Sequence, residues 1–179
     1  MKTKIKVLII FCISIFLFGC ANMQVNDNSK TIAVIDSQLL SEYNSWDIVA
    51  AKSRLNVLEN NGSISQSQAE NILAMLSQRE ILKENFVPFV ELMKQHIGEN
   101  DVNYIKSHTY PTLINSMMVG QLGHYNLSQA SFYYGKVTFA NQFSKFILII
   151  NYADQSEYLE VTLIAANNQW WIYDVKELH

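Results

Sequence analysis

The stretch Phe143-Ser144-Lys145-Phe146-Ile147-Leu148-Ile149-Ile150-Asn151-Tyr152 decides the fold, because an apolar run this short is rich in β-branched residues and bounded by turn-forming ones. It reads as a strand that is apolar on both faces, and so either central or covered on its outer face by another element or subunit. Three further strand candidates surround it: Ser131 to Ala140, Glu157 to Ala165 and Trp170 to Val175. Asn141-Gln142, residues 153–156 and Asn167-Asn168 separate them, and connections this short force antiparallel neighbours. Asn167-Asn168 suits a tight hairpin, since Asn accepts positive φ more readily than most residues. Leu159, Val161, Leu163 and Ala165 should point to one face and Tyr158, Glu160 and Thr162 to a wetter one.

Upstream of this meander the period changes to that of helices. Ile32, Ile35, Leu39, Tyr43, Trp46, Val49 or Ala50, and Leu55 with Leu58 fit one face of a helix over Thr31 to Glu59, stopped by Asn60-Asn61-Gly62. Ser67-Gln68-Ala69-Glu70 has the form of a capping box, so a second helix is expected from near Ser65 to Ser67, with Ala69, Ile72, Leu73, Leu76, Ile81, Leu82 and Phe86 inward. Pro88 places a break or kink there. A helical pattern resumes to Gly98, Asn100 and Asp101 can cap a short helix through Ile105, and Pro111 suits the first turn of another to about Val119. Helices followed by an antiparallel sheet define an α+β class.

The N-terminal end carries different information. Lys2, Lys4 and Lys6 precede an apolar run from Val7 to Phe18, closed by Leu17-Phe18-Gly19-Cys20. A spanning helix needs roughly 20 apolar residues; this run is shorter, and the pattern is that of a cleaved export signal. Of the 2 cysteines, Cys12 lies inside the segment to be removed, which leaves Cys20 alone and excludes an internal disulfide. Residues 21–30 are polar and should form a flexible tether.

Leu17-Phe18-Gly19-Cys20 resembles the bacterial lipobox, departing from it at Phe18, where a smaller residue is usual. The resemblance implies cleavage between Gly19 and Cys20, acylation of Cys20 and a membrane anchor of several chains. Ala21 resembles the outer-membrane sorting class; in an organism with one membrane the anchor would sit on its outer face. The organisation expected is then a signal peptide over 1–19, a lipidated tether over 20–30, a helical region over 31–98 and an α+β domain over 99–179.

Trp170-Trp171-Ile172-Tyr173-Asp174-Val175 resembles the last hairpin of NTF2-like and cystatin-like α+β domains, and Phe86 to Val119 resembles the helices that open that fold. The resemblance implies a four-stranded meander curved into a cone around a helix. Such domains serve as enzymes, carriers and assembly modules, so the fold does not choose among them.

Charge narrows the partners. The 13 basic and 16 acidic side chains give −3, and loss of three lysines with the signal takes this to −6. Nucleic acid binding needs clustered Lys and Arg, which are absent from this sequence. His96, His108, His124 and His179 have no metal-ligand spacing, and neither a phosphate-cradling glycine loop nor a nucleophile elbow occurs. No cofactor or metal is expected. Tyr110, His124 and Tyr133, with Tyr125 and Tyr134, are the ligand-cavity candidates at the mouth of the cone. Trp170, Trp171 and Ile172 are the interface candidates, one Trp packing inside and its neighbour facing out. The leading expectation is a non-enzymatic envelope lipoprotein that binds a protein partner. The alternatives are a carrier of an apolar small molecule and an NTF2-like hydrolase or isomerase. Growth with a clickable fatty acid should label the wild-type chain and leave Cys20→Ala unlabelled and released from the membrane fraction; an unlabelled wild type would remove the basis for the anchor.

Overall fold

The computed structural model describes residues 28–111, 127–152 and 155–178. The expected signal and most of the tether, the helix proposed for Pro111 to Val119, His124 and Tyr125 lie outside these residues or nearly so. The described chain is α+β: helices come first and an antiparallel sheet follows.

The expected helix over Thr31 to Glu59 is three helices: α1 (Ser29–Ala33), α2 (Ser37–Asn44) and α3 (Ile48–Asn60). The apolar period runs through all three, but two aspartates interrupt it. The Asp36 carboxylate accepts from the Leu39 amide at 2.7 Å and that of Asp47 from the Ala50 amide at 3.1 Å, each satisfying an otherwise orphaned helix N–H. Because α1 starts at Ser29, helix already occupies the end of the expected tether.

Helix α4 (Gln66–Glu84) opens with a capping box, but its partners are Ser65 and Gln68 rather than Ser67 and Glu70. Leu73 and Ile81, expected inward, are exposed. Helix α5 (Phe86–Gly98) follows directly, so the break falls at Asn85 and Pro88 sits inside the first turn, where a missing N–H costs nothing. Asp101 caps α6 (Val102–Ser107), as its position suggests.

Strands β1 (Ser131–Tyr134) and β2 (Thr138–Ala140) replace the single strand expected over Ser131 to Ala140. Both pair with β3 (Phe143–Tyr152), so they are one lane interrupted between them, with the Gly135 amide still bonded to the Ile147 carbonyl at 3.1 Å. Strands β4 (Gln155–Ala166) and β5 (Gln169–Glu177) complete the order β1-β3-β4-β5 with every pair antiparallel. Asn167 and Asn168 have φ of 51° and 59°, the left-handed pair that a two-residue hairpin requires.

Between Thr162 and Leu163 the pairing with β5 shifts register. The shift changes which residues of β5 face the helices: Leu163 pairs with Ile172, and beyond the shift Val161 pairs with Val175. An unbroken alternation from Ile172 would have turned Asp174 inward instead. The expected alternation of β4 holds for Leu159, Val161 and Leu163, but Thr162 and Ile164 on the other face are buried too. Phe143 and Trp171 flank Ile164 in register and help to cover that face.

Among the described residues two hydrophobic cores result. One joins α1 to α4 through Ile32, Leu39, Leu55, Ile72 and Leu76. The other packs Phe86, Val90 and Met93 of α5 against Phe146, Leu148, Val161, Leu163 and Trp170, so that by packing α5 belongs with the sheet. Trp170 lies at its centre: its indole N–H donates to the Leu82 carbonyl at 2.7 Å, and Trp46 and Phe86 lie at ring-centroid distances of 5.3 Å and 5.7 Å. Trp170→Ala should cost about 3–5 kcal/mol, read as a lower urea midpoint. Leu178→Ala at a largely exposed site should change stability by no more than about 0.5 kcal/mol.

Candidate functional site

A ligand chamber at the mouth of the cone would require the candidate side chains to converge at one end of the sheet, and the described ones do not. Tyr110 lies beside β5, its amide bonded to the Ile172 carbonyl at 2.7 Å and its ring 5.8 Å from Tyr173. Tyr133 lies exposed on β1, at the opposite edge of the sheet. Tyr134 instead meets Phe146 edge-on at 5.7 Å beneath the Lys94 ammonium. The inner face between these edges is filled by Trp46, Phe86, Phe139, Phe146 and Trp170 in mutual aromatic contact.

The interface candidates divide in the same way. Trp170 and Ile172 are buried in the core, so neither offers a side chain to a partner. Trp171 points to the outer face, half-buried, and its indole N–H donates to the Ala166 carbonyl at 3.0 Å. The expectation that adjacent tryptophans face opposite ways is met, with Trp171 the outward one.

An open apolar groove runs between α5 and the β1 edge, with a volume of about 720 Å³, lined by Pro88, Leu92, Gln95, Gly98 and Phe132. Glu91 and Lys94 stand at its side and neutralise each other at 2.8 Å. Gly98 permits the close approach of helix and strand, because a Cβ there would stand 3.3 Å from the Phe132 ring. The groove presents apolar carbon without an unpaired charge among its lining residues, which suits an apolar side chain or small molecule. Sequence reading missed it: Leu92 looks like any helix apolar residue, and only the packing of α5 beside β1 puts Phe132 next to it.

A second cleft, of about 40 Å³, lies where α2 and α4 meet the hairpin turns. It has room for little more than water. Arg79 there is structural: it donates to the Tyr43 carbonyl at 2.6 Å and stacks 3.6 Å above the Tyr43 ring.

At the α5–α6 elbow, His96, Tyr104 and His108 form a stack with centroid separations of 3.6 Å and 4.0 Å. His96 Nδ1 lies 3.1 Å from the Asp101 carboxylate, and His108 Nδ1 lies 2.9 Å from the Tyr104 carbonyl. The stack ties the elbow to the sheet, because the next residues pair with β5 through the Ile172 amide and the His108 carbonyl at 2.9 Å. Among the described residues no three His, Cys, Asp or Glu side chains are grouped so as to hold a metal ion. Nor does any described helix have the length and apolarity to cross a membrane.

No protein-family model, curated protein or solved structure matches the chain. Its own residues therefore carry the functional reading.

The elbow has a pH signature. The Tyr104 amide, with His96 adding a smaller attraction, holds the Asp101 carboxyl below its usual range. A depressed native value means that Asp101 contributes stability above the ordinary carboxylate value of about 3.9, and that this is lost as pH falls through the lower native value. Asp101→Ala should therefore be less stable than wild type at neutral pH and should lose less on acidification, in urea titrations run from neutral pH to pH 3.

Proposed function

We propose that the protein is an envelope lipoprotein, held on a membrane through acylated Cys20, whose domain acts as a non-enzymatic binding or assembly module on the periplasmic or extracytoplasmic side. The observation that carries this reading is the Lys2-to-Cys20 pattern, closed by the one cysteine that processing would leave. Several acyl chains on that residue would hold the domain stably on the bilayer, since a single chain already gives marginal binding. The outer-membrane placement belongs to the same proposal and rests on Ala21.

The aromatic filling of the inner face supports a binding module over an enzyme or a carrier with an enclosed chamber. The open groove beside Phe132 supplies an apolar surface on which a partner's side chain could seat. Within the same proposal the domain is NTF2-like or cystatin-like in its finer topology, a reading supported by α5 lying against a meander whose strands run in sequence order apart from the split first lane. A carrier of an apolar small molecule is the second reading, favoured by the volume of that groove, which falls within the roughly 300–1,000 Å³ of ligand sites.

Crosslinking in intact cells, followed by identification of the captured species, separates the two. An envelope protein crosslinked to wild type, and recovered poorly with Leu92→Glu at the groove, is the expected result. Recovery of lipid or metabolite alone would reverse the order.

A further inference from the structure

We propose that the turn end of the sheet, carrying Tyr110, Phe143, Trp171 and Tyr173 on its outer face, rests against the lipid headgroup layer. This rests on the reading of Cys20 as the anchor. It adds an orientation and a second membrane contact.

The first argument is length. Asn28 lines the same small cleft as Gln142, Ala165, Ala166, Asn167 and Asn168, so the chain joins the domain at the end of the sheet where its two Asn-bearing turns lie. Eight residues separate Cys20 from Asn28, inclusive of Asn28. Fully extended at about 3.6 Å each they reach at most about 29 Å. A domain of this length is about 40 Å across. A tether whose full reach is shorter than the domain cannot pass around it, so the turn end cannot be the part farthest from the bilayer, and the side-chain chemistry selects among the orientations that remain.

The second argument is chemistry. At the turn end Phe143 and Tyr173 meet at 5.2 Å, Tyr110 and Tyr173 at 5.8 Å, and Trp171 stands over the β4–β5 hairpin; all four are half-buried. Tyr110, Trp171 and Tyr173 combine an apolar ring with a polar group, the type of side chain that favours the membrane–water interface, and Phe143 adds apolar area beside them. The charged residues of the outer face lie farther from the turns: Lys145 pairs with Glu160 at 3.4 Å and Lys176 with Asp174 at 3.1 Å. With a net charge of −6 after processing, attraction to anionic lipid contributes little, so the contact should be insensitive to salt.

The test uses the mature acylated chain in phosphatidylcholine vesicles containing lipid brominated near the headgroup. Trp46 and Trp170 are buried at 1% and 2% exposure, so quenching beyond that in plain vesicles reports Trp171. The expected result is a loss of emission that persists at high salt and disappears in Trp171→Phe. A variant with a long Gly and Ser insertion after Gln24 leaves the domain untouched and should show less quenching. Co-flotation with vesicles but no quenching would overturn the contact and leave the anchored-module reading standing. Failure of the processed chain to carry acyl groups or to float would overturn both.

Discussion

Trp46 is the constraint on which the two cores depend. It sits in the left-handed region at φ 61°, between α2 and α3, and is almost wholly buried. A bulky residue in that conformation costs on the order of 1–3 kcal/mol. Burying its roughly 150–250 Å² at about 25 cal/mol per Å² is worth about 4–6 kcal/mol, so burial wins. The left-handed turn lets the indole leave the helical core and enter that of the sheet, where it stacks on Trp170 at 5.3 Å and donates to the Asn141 carbonyl at 2.7 Å. Lys83 returns a bond to the Trp46 carbonyl at 2.9 Å, and the Asn141 amide bonds to the Asn44 carbonyl at 2.8 Å. This turn thus fastens the N-terminal helices to the sheet, beside the packing of α5 and the Trp170 bond to α4.

The sheet is shaped to receive that indole. The register shift between Thr162 and Leu163 keeps Trp170, Ile172 and Val175 turned toward the helices despite their uneven spacing. The long helix α4 spans both cores, placing Ile72 and Leu76 in one and Leu82 in the other. Among the described residues the inner face carries the rings of Trp46, Phe86, Phe139, Phe146 and Trp170 in mutual contact, while the groove beside Phe132 and the aromatic turn end lie outside that cluster. Under the proposed reading as a binding module, a partner would reach both surfaces without opening the core.

The sequence by itself determined the class of structure and the unusual opening segment. The strand bounds of Phe143 to Tyr152, the Asn167-Asn168 hairpin, the cap at Asp101 and the order of helices before sheet were legible, because each depends on local backbone preference or on period. The division of the first helix at Asp36 and Asp47 was not read, although the residues that cause it are good caps, because the apolar period continues across both breaks. Which of Trp170 and Trp171 faces the core was open for a different reason: strand alternation separates neighbours without saying which way the set points. Tertiary structure decided that, together with the separation of Tyr110 from Tyr133. Tyr110 and Tyr133 share a residue type, yet the one pairs beside β5 and the other lies on β1, at opposite edges of the sheet. Likewise, Leu92 and Phe132 became neighbours only when α5 packed beside β1. Period and capping are properties of adjacent residues, whereas convergence of side chains depends on how whole elements pack.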